Sequence, residues 1–241
     1  RAVGFLMALY QRRLASSTYA LRHSLQNRAR RLEDGLKRAQ ELSRLAPPEL
    51  PDPEEFEEME ESQRERLEEL LEAITLAQNP QQVHDEVAQL KTLAAQAQLV
   101  EDAGVEAKLS RLKDVLQEQG FFDNPDQRLL IFTEFKDTLD YLVSRLKNWG
   151  FRVGVIHGGM KPGSRDEPGT RLYSEQQFRD GAIQILAATE AAGEGINLQC
   201  CHILFNYDIP WNPNRLEQRM GRIHRYGQTK DCLIFNFVAT N

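Results

Sequence analysis

Apolar residues in the second half of the chain form short runs separated by longer mixed stretches. The runs typical of strands lie near residues 129–133, 152–156, 183–187, 202–206 and 232–238. The stretches typical of helices lie near residues 136–149, 174–180 and 212–222. Strands that alternate with helices indicate a parallel sheet covered on both faces, which binds ligands at the carboxyl ends of its strands. We therefore predict an α/β fold for residues 121–241.

The first part of the chain has a helical pattern instead. Five leucines recur at spacings of seven, four, seven and four: Leu14, Leu21, Leu25, Leu32 and Leu36. This stripe predicts one long amphipathic helix over residues 2–44. Four prolines within residues 47–53 bring that helix to an end.

Three more helices are predicted before the sheet. The second helix is strongly acidic and starts near Glu54. A third begins with Pro80 at its first position, where a missing backbone N–H costs nothing. A fourth covers residues 102–119 and stops at Gly120. Residues 1–120 are thus predicted to form one helical region.

Charge is distributed unevenly along these 241 residues. The net charge of −6 argues against a simple basic nucleic-acid binder. Residues 1–44 nevertheless carry ten Lys and Arg against three Asp and Glu, whereas residues 45–72 carry two against twelve. A solvated helix face explains the acidic run better than a specific binding surface does.

Composition also limits the class of protein and its location. No apolar run is long enough to cross a membrane. Three cysteines do not make a disulfide framework, which fits a reducing cytoplasm. The adjacent Cys200, Cys201 and His202 lack the spacing of a zinc site, so no metal site is predicted. Because the chain begins with Arg1 and not with methionine, we expect it to be part of a longer protein.

The densest group of special residues lies near the C-terminus, over residues 218–228. Two arginines in it, Arg222 and Arg225, are three residues apart, a spacing that would place both on one face of a helix. Arginine presents a planar, permanently charged fork that matches phosphate oxygens, so this pair suits one polyphosphate. Surface ion pairs are the alternative, but the adjoining Gln218 and Gln228 argue against it.

Other parts of a nucleotide site are missing from the chain. No phosphate-binding loop of the form G-x-x-x-x-G-K-[ST] is present, and no Asp-Glu pair directly follows a strand. Gly193, Glu194 and Gly195 do not form a dinucleotide loop, because Leu198 stands where a third glycine is needed. We therefore expect the chain alone to be inactive on ATP, with ATP and Mg²⁺ bound mainly by another lobe.

Five segments resemble, in order, the motifs of superfamily-two helicases. Residues 129–135, 153–160 and 183–199 resemble motifs IV, IVa and V, and residues 218–228 resemble motif VI. Residues 206–213 resemble the Asp-x-x-Trp-Asn-Pro element that follows motif V. The His-Arg-x-Gly-Gln ending of motif VI is similar to that of the Swi/Snf-type DNA translocases, including the RapA-like proteins.

This resemblance implies a fold and a set of roles. The fold is a C-terminal RecA-like lobe, preceded by an all-helical insertion. Arg222 and Arg225 would be the arginine fingers that reach ATP. The residues expected to line the ATP cleft are Gly193, Glu194, Gly195, Asn197 and Gln218. The residues expected to contact DNA are Thr133, Gly158, Gly159, Lys161, Thr189 and Trp211. Three alternatives remain open. Glu194 would then belong to a purely structural turn, and the glycine pair 158–159 would form an ordinary tight turn. Trp211 would have a packing role.

The resemblance also implies partners. They are double-stranded DNA, an N-terminal RecA-like lobe of the same protein, and a possible protein partner for the helical region; no membrane is involved. Two other functions remain open. One is a non-catalytic helical scaffold that binds a protein partner. The other is an RNA helicase lobe, against which the His-Arg-x-Gly-Gln ending argues.

Overall fold

The computed structural model describes residues 2–36, 59, 62–68, 80–102, 107–190 and 198–238, with side chains at all of them except residues 2–6, 36, 80 and 81. The chain forms two compact units, residues 1–106 and residues 107–241. No helix within the described ranges is both long enough and apolar enough to cross a membrane.

The first unit is helical. Its helices are α1 (Ala2–Ser16), α2 (Thr18–Leu36) and α3 (Pro80–Asp102), and residues 62–68 are also helical. Helices α2 and α3 pack together through a core of Leu25, Ala29, Leu32, Val83, Val87, Leu90 and Ala94. These residues recur three or four positions apart on each helix, as the buried stripe of an amphipathic helix does. The predicted start of a helix at Pro80 is confirmed.

The single long helix predicted over residues 2–44 is wrong in one respect, because the helix is interrupted at Ser17. The Ser17 hydroxyl accepts a hydrogen bond from the Ala20 amide at 3.0 Å, so this serine caps the start of α2. The leucine stripe is only partly buried: Leu25 and Leu32 lie in the core, whereas Leu14 is 53% exposed. The side chain of Leu36 and residues 37–44 lie outside the described part of the chain.

Most of the predicted acidic helix also lies outside the described residues. Within it, residues 62–68 are helical, as expected. Glu68 accepts a hydrogen bond at 3.1 Å from Arg13 of α1. At least one carboxylate of this segment therefore pairs with the basic first part of the chain.

The second unit contains a five-stranded parallel sheet in the order β2-β3-β1-β4-β5. Its strands are β1 (Leu129–Phe132), β2 (Val153–Ile156), β3 (Ile185–Ala188), β4 (Ile203–Asn206) and β5 (Leu233–Asn236). Its helices are α4 (Ala107–Glu118), α5 (Lys136–Asn148), α6 (Arg171–Asp180) and α7 (Pro213–Met220). All five predicted strands are confirmed within two residues at each end.

Both faces of the three central strands, β1, β3 and β4, are buried, as predicted for a RecA-like lobe. Alternate strand residues point to opposite faces. Leu129 and Ile131 of β1 belong to the cluster that contains Leu142 and Leu146 of α5. Leu130 and Phe132 belong to the other cluster, with Phe178 of α6 and Ile223. The central strands are apolar on both sides because helices cover both of their faces.

Helix α4 belongs to the sheet unit and not to the helical region with which the sequence analysis grouped it. Its Leu112, Val115 and Leu116 are buried in the same cluster as β1 and α5. The boundary between the units therefore falls after residue 106 and not after residue 120. Helix α4 ends before Gly120, which has a φ of +75°, as the predicted stop at this glycine requires.

Candidate functional site

Polar residues follow three neighbouring strands at their carboxyl ends. Thr133 comes directly after β1, Glu190 lies two residues after β3, and Asp208 lies two residues after β4. Because β1 lies between β3 and β4 in the sheet, these residues share one edge. This is the edge where parallel α/β sheets bind their ligands.

Arg219, in the last turn of α7, joins these positions. Its Nε donates to Glu190 Oε1 at 2.6 Å, and its Nη2 also bonds that carboxylate. Its Nη1 donates to Asn206 Oδ1 at 3.1 Å and to the Asp208 carbonyl at 2.8 Å. The guanidinium lies 5.3 Å from the ring centroid of Phe132. All three guanidinium nitrogens of Arg219 thus have partners on β3, on β4 or just beyond them.

Asp208 ties this cluster to the end of β1. Its Oδ2 accepts from the Thr133 hydroxyl at 2.7 Å, and its Oδ1 accepts from the Glu134 amide at 2.7 Å. Thr133 is fully buried. Its hydroxyl therefore binds the Asp208 carboxylate in this structure. A DNA contact through that hydroxyl would require it to face outward, which it does not.

The two predicted arginine fingers do not share a helical face. Helix α7 ends at Met220, and residues 221–227 form turns. The expectation that Arg222 and Arg225 lie on one helix is therefore wrong. Gly221 caps the end of α7, and the chain leaves the helix before either arginine. The turns, not a helical spacing, set the directions of the two side chains.

Gln228 holds this arginine-bearing turn, residues 221–228, against the chain before β4. Its Nε2 donates to the carbonyls of Cys201 at 3.0 Å, Gln199 at 3.2 Å and Ile223 at 3.2 Å. In return, Gln199 Nε2 donates to the Tyr226 carbonyl at 2.7 Å. Two glutamine side chains thus tie the turn to the chain before β4.

The arginine-bearing turn exposes part of its surface. Arg225 is exposed, and its side chain has no polar partner among the residues that the structure describes. Arg222 is half-buried, and its carbonyl accepts from the Leu198 amide at 3.1 Å. Tyr226 is fully exposed. A guanidinium held on an anchored turn and open to solvent is suited to bind a phosphate supplied from outside this unit.

Hydrogen bonds among its own residues and from Arg171 hold the loop after β2 in shape. Arg171 donates to the Met160 carbonyl at 2.9 Å and to the Gly158 carbonyl at 2.8 Å. The Gly159 amide donates to His157 Nδ1 at 3.2 Å. The amide of Gly159 is thus already engaged inside the loop, while Gly159 itself and Lys161 are exposed and Gly158 is half-buried.

The remaining predicted residues differ in their surroundings. Gly193, Glu194, Gly195 and Asn197 lie outside the described part of the chain. Gln218 is exposed on α7. Trp211 is 65% exposed just before α7, which does not fit the packing role considered for it. Thr189 is buried at the end of β3, and its hydroxyl has no hydrogen-bond partner among the described residues.

The cysteines near the arginine-bearing turn are not activated thiols. Burial raises the pKa of Cys201 to about 12, and burial also raises the pKa of Cys200. The pKa of the neighbouring His202 is lowered, first by burial and then by Lys230. Neutral thiols dominate at physiological pH, which fits packing positions at the start of β4.

Comparison with known proteins defines the class of this lobe. A family model described as the helicase conserved C-terminal domain matches residues 107–227. The chain belongs to this family, and it has the parallel sheet and motif order expected of a Swi/Snf-type superfamily-two C-terminal lobe. The match begins at the first residue of α4, which agrees with the boundary between the two units.

Relatives with similar sequences are helicases. The chain is 42% identical over 150 residues to the uncharacterized ATP-dependent helicase YqhH of Bacillus subtilis, a match that covers 60% of this chain and 26% of that protein. It is 35% identical over 159 residues to helicase SWR1 of Mycosarcoma maydis, covering 65% of this chain and 8% of that protein. The chain thus spans about a quarter or less of the length of these curated relatives.

Among solved structures, the C-terminal part of the Fun30 ATPase domain is 28% identical with a TM-score of 0.47, covering 54% of this chain and 39% of that one.

Sequence reasoning missed the charged residues that hold the segments of the site in place. Arg219, Glu190, Asp208 and Arg171 received no role; Glu190 and Asp208 follow strand ends, whereas Arg219 and Arg171 lie on helices α7 and α6. One signal was present in the sequence: Arg215 and Arg219 are four residues apart on a short polar helix and therefore share a face. Both approach the carboxylate of Glu190, with Arg215 Nη1 at 3.9 Å from Oε2.

Proposed function

We propose that this chain is the C-terminal lobe of an ATP-dependent double-stranded DNA translocase or remodeller. Arg222 and Arg225 are its arginine fingers, and an N-terminal RecA-like lobe of the same protein holds ATP and Mg²⁺. The observation that carries the proposal is the arginine-bearing turn, which Gln228 fixes to the chain before β4 while Arg225 stays exposed. The similarity to an ATP-dependent helicase supports the use of ATP.

The donor chemistry of the turn fits a nucleoside triphosphate. Each guanidinium offers several N–H donors to phosphate oxygens and keeps its charge at any physiological pH. When ATP is bound between the lobes, phosphoryl transfer develops negative charge that such groups stabilise, and an arginine finger contributes roughly 10³-fold or more to the rate. In this chain, Gln228 holds the backbone of the turn, so that only the side chain of Arg225 has to be ordered when phosphate binds.

Contacts with the DNA backbone are proposed at the same edge of the sheet. Lys161 follows β2 and Trp211 follows β4, and both side chains are exposed. Lys161 supplies a cation for phosphate, and the exposed Trp211 ring supplies an apolar surface; such contacts hold a nucleic acid without reading its sequence. The turn-forming residues Gly158 and Gly159 complete this proposed surface, whereas Thr189, like Thr133, is buried and is left out of it.

Double-stranded DNA is favoured over RNA by the His-Arg-x-Gly-Gln ending of the arginine motif. The RNA helicase lobe remains the alternative, and the test below includes both nucleic acids. We also propose that the helical unit binds a protein partner and that the protein acts in the cytoplasm. A purely non-catalytic scaffold is less well supported, because it assigns no function to the exposed Arg225.

The proposal predicts that Arg222→Ala or Arg225→Ala lowers DNA-stimulated ATP hydrolysis by about 10³-fold in the protein that contains both lobes. The fold should survive, because Arg225 is exposed and Arg222 is half-buried on a surface turn. Steady-state ATP hydrolysis, measured with duplex DNA, single-stranded DNA and duplex RNA, gives the comparison.

Arg152→Ala is the control, because Arg152 is exposed on the amino-terminal side of β2, away from the arginine-bearing turn, and donates to backbone carbonyls of neighbouring loops. It should hydrolyse ATP at the rate of the unmodified protein. The 241-residue chain alone should show no hydrolysis. Rates within threefold of the unmodified protein for either finger variant would refute the assignment, and stronger stimulation by duplex RNA would favour the RNA helicase lobe.

A further inference from the structure

Arg219 is the most deeply buried charged residue within the described part of the second unit, at 1% exposure. Moving a guanidinium out of water is costly unless carboxylates and hydrogen-bond acceptors replace the water. Here Glu190 lies in direct contact, and the Asp208 carboxylate lies 3.8 Å from Nη2. The Asn206 side chain and the Asp208 carbonyl accept the bonds of Nη1. Such a cluster fixes its members in one arrangement, since any shift leaves a buried charge unpaired.

The contacts of α7 and the arginine-bearing turn fall on both sides of residues 191–197. On one side, Arg219 bonds the side chain of Glu190. On the other side, the Leu198 amide donates to the carbonyl of Arg222, three residues after Arg219. The same short stretch of chain therefore holds the two residues that flank the segment predicted to line the ATP cleft.

The cluster also extends to the proposed DNA edge. Asp208, which Arg219 bonds through its carbonyl, accepts from the Thr133 hydroxyl and the Glu134 amide. Three residues after Asp208 stands the exposed Trp211. Arg219 thus lies between the segment that carries Trp211 and the turn that carries Arg222.

We propose that Arg219, through Glu190 and Asp208, is a positioning residue that sets where Arg222 and Arg225 stand relative to the strand ends. This inference rests on the proposed function. Arg219 itself touches no ligand, because it is buried under the residues that it holds. Its loss should misplace the fingers by a fraction of a helical turn, and displacement of about 1 Å at a reacting centre costs on the order of 100-fold in rate.

The test compares Arg219→Met, Arg219→Lys and Glu190→Gln in the protein that contains both lobes. Arg219→Met removes the charge and keeps most of the volume. We expect its kcat for ATP to fall about 100-fold while its KM changes less than threefold, because an interaction that orders the fingers matters most in the transition state. Arg219→Lys keeps the charge and one donor nitrogen in place of three, so it should recover part of kcat. The kcat of Glu190→Gln should lie between those of Arg219→Met and Arg219→Lys.

A matched control separates positioning from simple loss of stability. Arg28 in the helical unit is also buried, at 6% exposure, and bonds the Glu86 carboxylate. Arg28→Met should lower the thermal transition in the same way yet leave kcat within threefold of the unmodified protein. If Arg219→Met lowers kcat no more than Arg28→Met does, the positioning role is overturned.

Two further outcomes are decisive. If Arg219→Met does not fold, Glu190→Gln decides, and a kcat within threefold of the unmodified protein overturns the inference. Arg222→Ala distinguishes the two levels of the proposal. An active Arg222→Ala variant sinks the proposed function itself, whereas an inactive Arg222→Ala variant beside an active Arg219→Met variant sinks only the positioning role.

Discussion

Cys201 affects the stability of the protein through ionisation and not through chemistry at the site. Its thiol is fully buried, and burial raises its pKa from 9.0 to about 12. In the unfolded protein the thiol ionises near its ordinary pKa, so the folded state binds the proton more tightly. The stabilisation is therefore fully present below pH 9 and is lost as the pH rises toward 12.

We predict that a Cys201→Ala variant lacks this pH dependence. The free energy of unfolding of the unmodified protein should fall relative to the variant by up to about 1.4 kcal/mol per pH unit above pH 9. Urea unfolding at pH 8 to 11 measures the difference between the two proteins. Cys232→Ala, at a half-buried position, should show a smaller change. A difference that stays constant over this pH range would contradict the buried neutral thiol.

At the residue scale, the motif near the C-terminus pointed to the exposed Arg225 but gave no role to the buried Arg219. Arg222 and Arg225 stand in a motif whose spacing and neighbours are unusual, and Arg225 is indeed exposed. Arg219 stands in the same motif, but its partners Glu190 and Asp208 lie far away along the chain. Only the order of the strands brings them together, and that order cannot be read from the pattern of apolar runs.

Helix α4 is the element that the sequence analysis placed in the wrong unit. Its pattern showed an amphipathic helix, but an apolar stripe does not say which surface will cover it. The structure shows Leu112, Val115 and Leu116 packed in the core of the sheet unit. Helix α4 is therefore part of the minimum set of elements that the sheet requires.

We predict that Leu116→Ala lowers the free energy of unfolding of the sheet unit by about 2–5 kcal/mol, because it leaves a cavity in a fully buried position. Asp114→Ala is the control on the opposite, exposed side of α4 and should change the stability by less than about 0.5 kcal/mol. Chemical denaturation followed by circular dichroism gives both values. Equal effects would show that α4 does not pack as described.

The arginine-bearing turn shows the opposite limit of sequence reasoning at the element scale. Spacing of three residues was taken as helical, but Gly221 ends α7 before the arginines. Gly221 has a right-handed φ of −62°, so it does not use the left-handed conformation of many helix-ending glycines; its low helix propensity is what competes with the periodicity. Strand positions were predicted well because short apolar runs bounded by turn residues favour buried strands over helices, which need longer stretches.

At the scale of the whole molecule, the structure replaces the predicted division into residues 1–120 and 121–241. We predict that a fragment of residues 107–241 unfolds in one cooperative thermal transition. A fragment of residues 121–241 lacks α4 and should lose on the order of 5 kcal/mol, because three buried apolar side chains no longer cover the sheet. Differential scanning calorimetry of both fragments measures this. Equal transition temperatures would restore the boundary after residue 120.

The order of the strands also has a consequence for how the chain is made. Central strand β1 pairs only with β3 and β4, and its Leu129 meets Ile185, which is 185 − 129 = 56 residues later. At roughly 5–20 residues per second, synthesis of those residues takes about 3–11 s. During that interval the four apolar residues of β1 have emerged from the ribosome without either of their sheet neighbours. Nascent chains therefore pass through a period in which contact with a chaperone, or with another nascent chain, competes with correct folding.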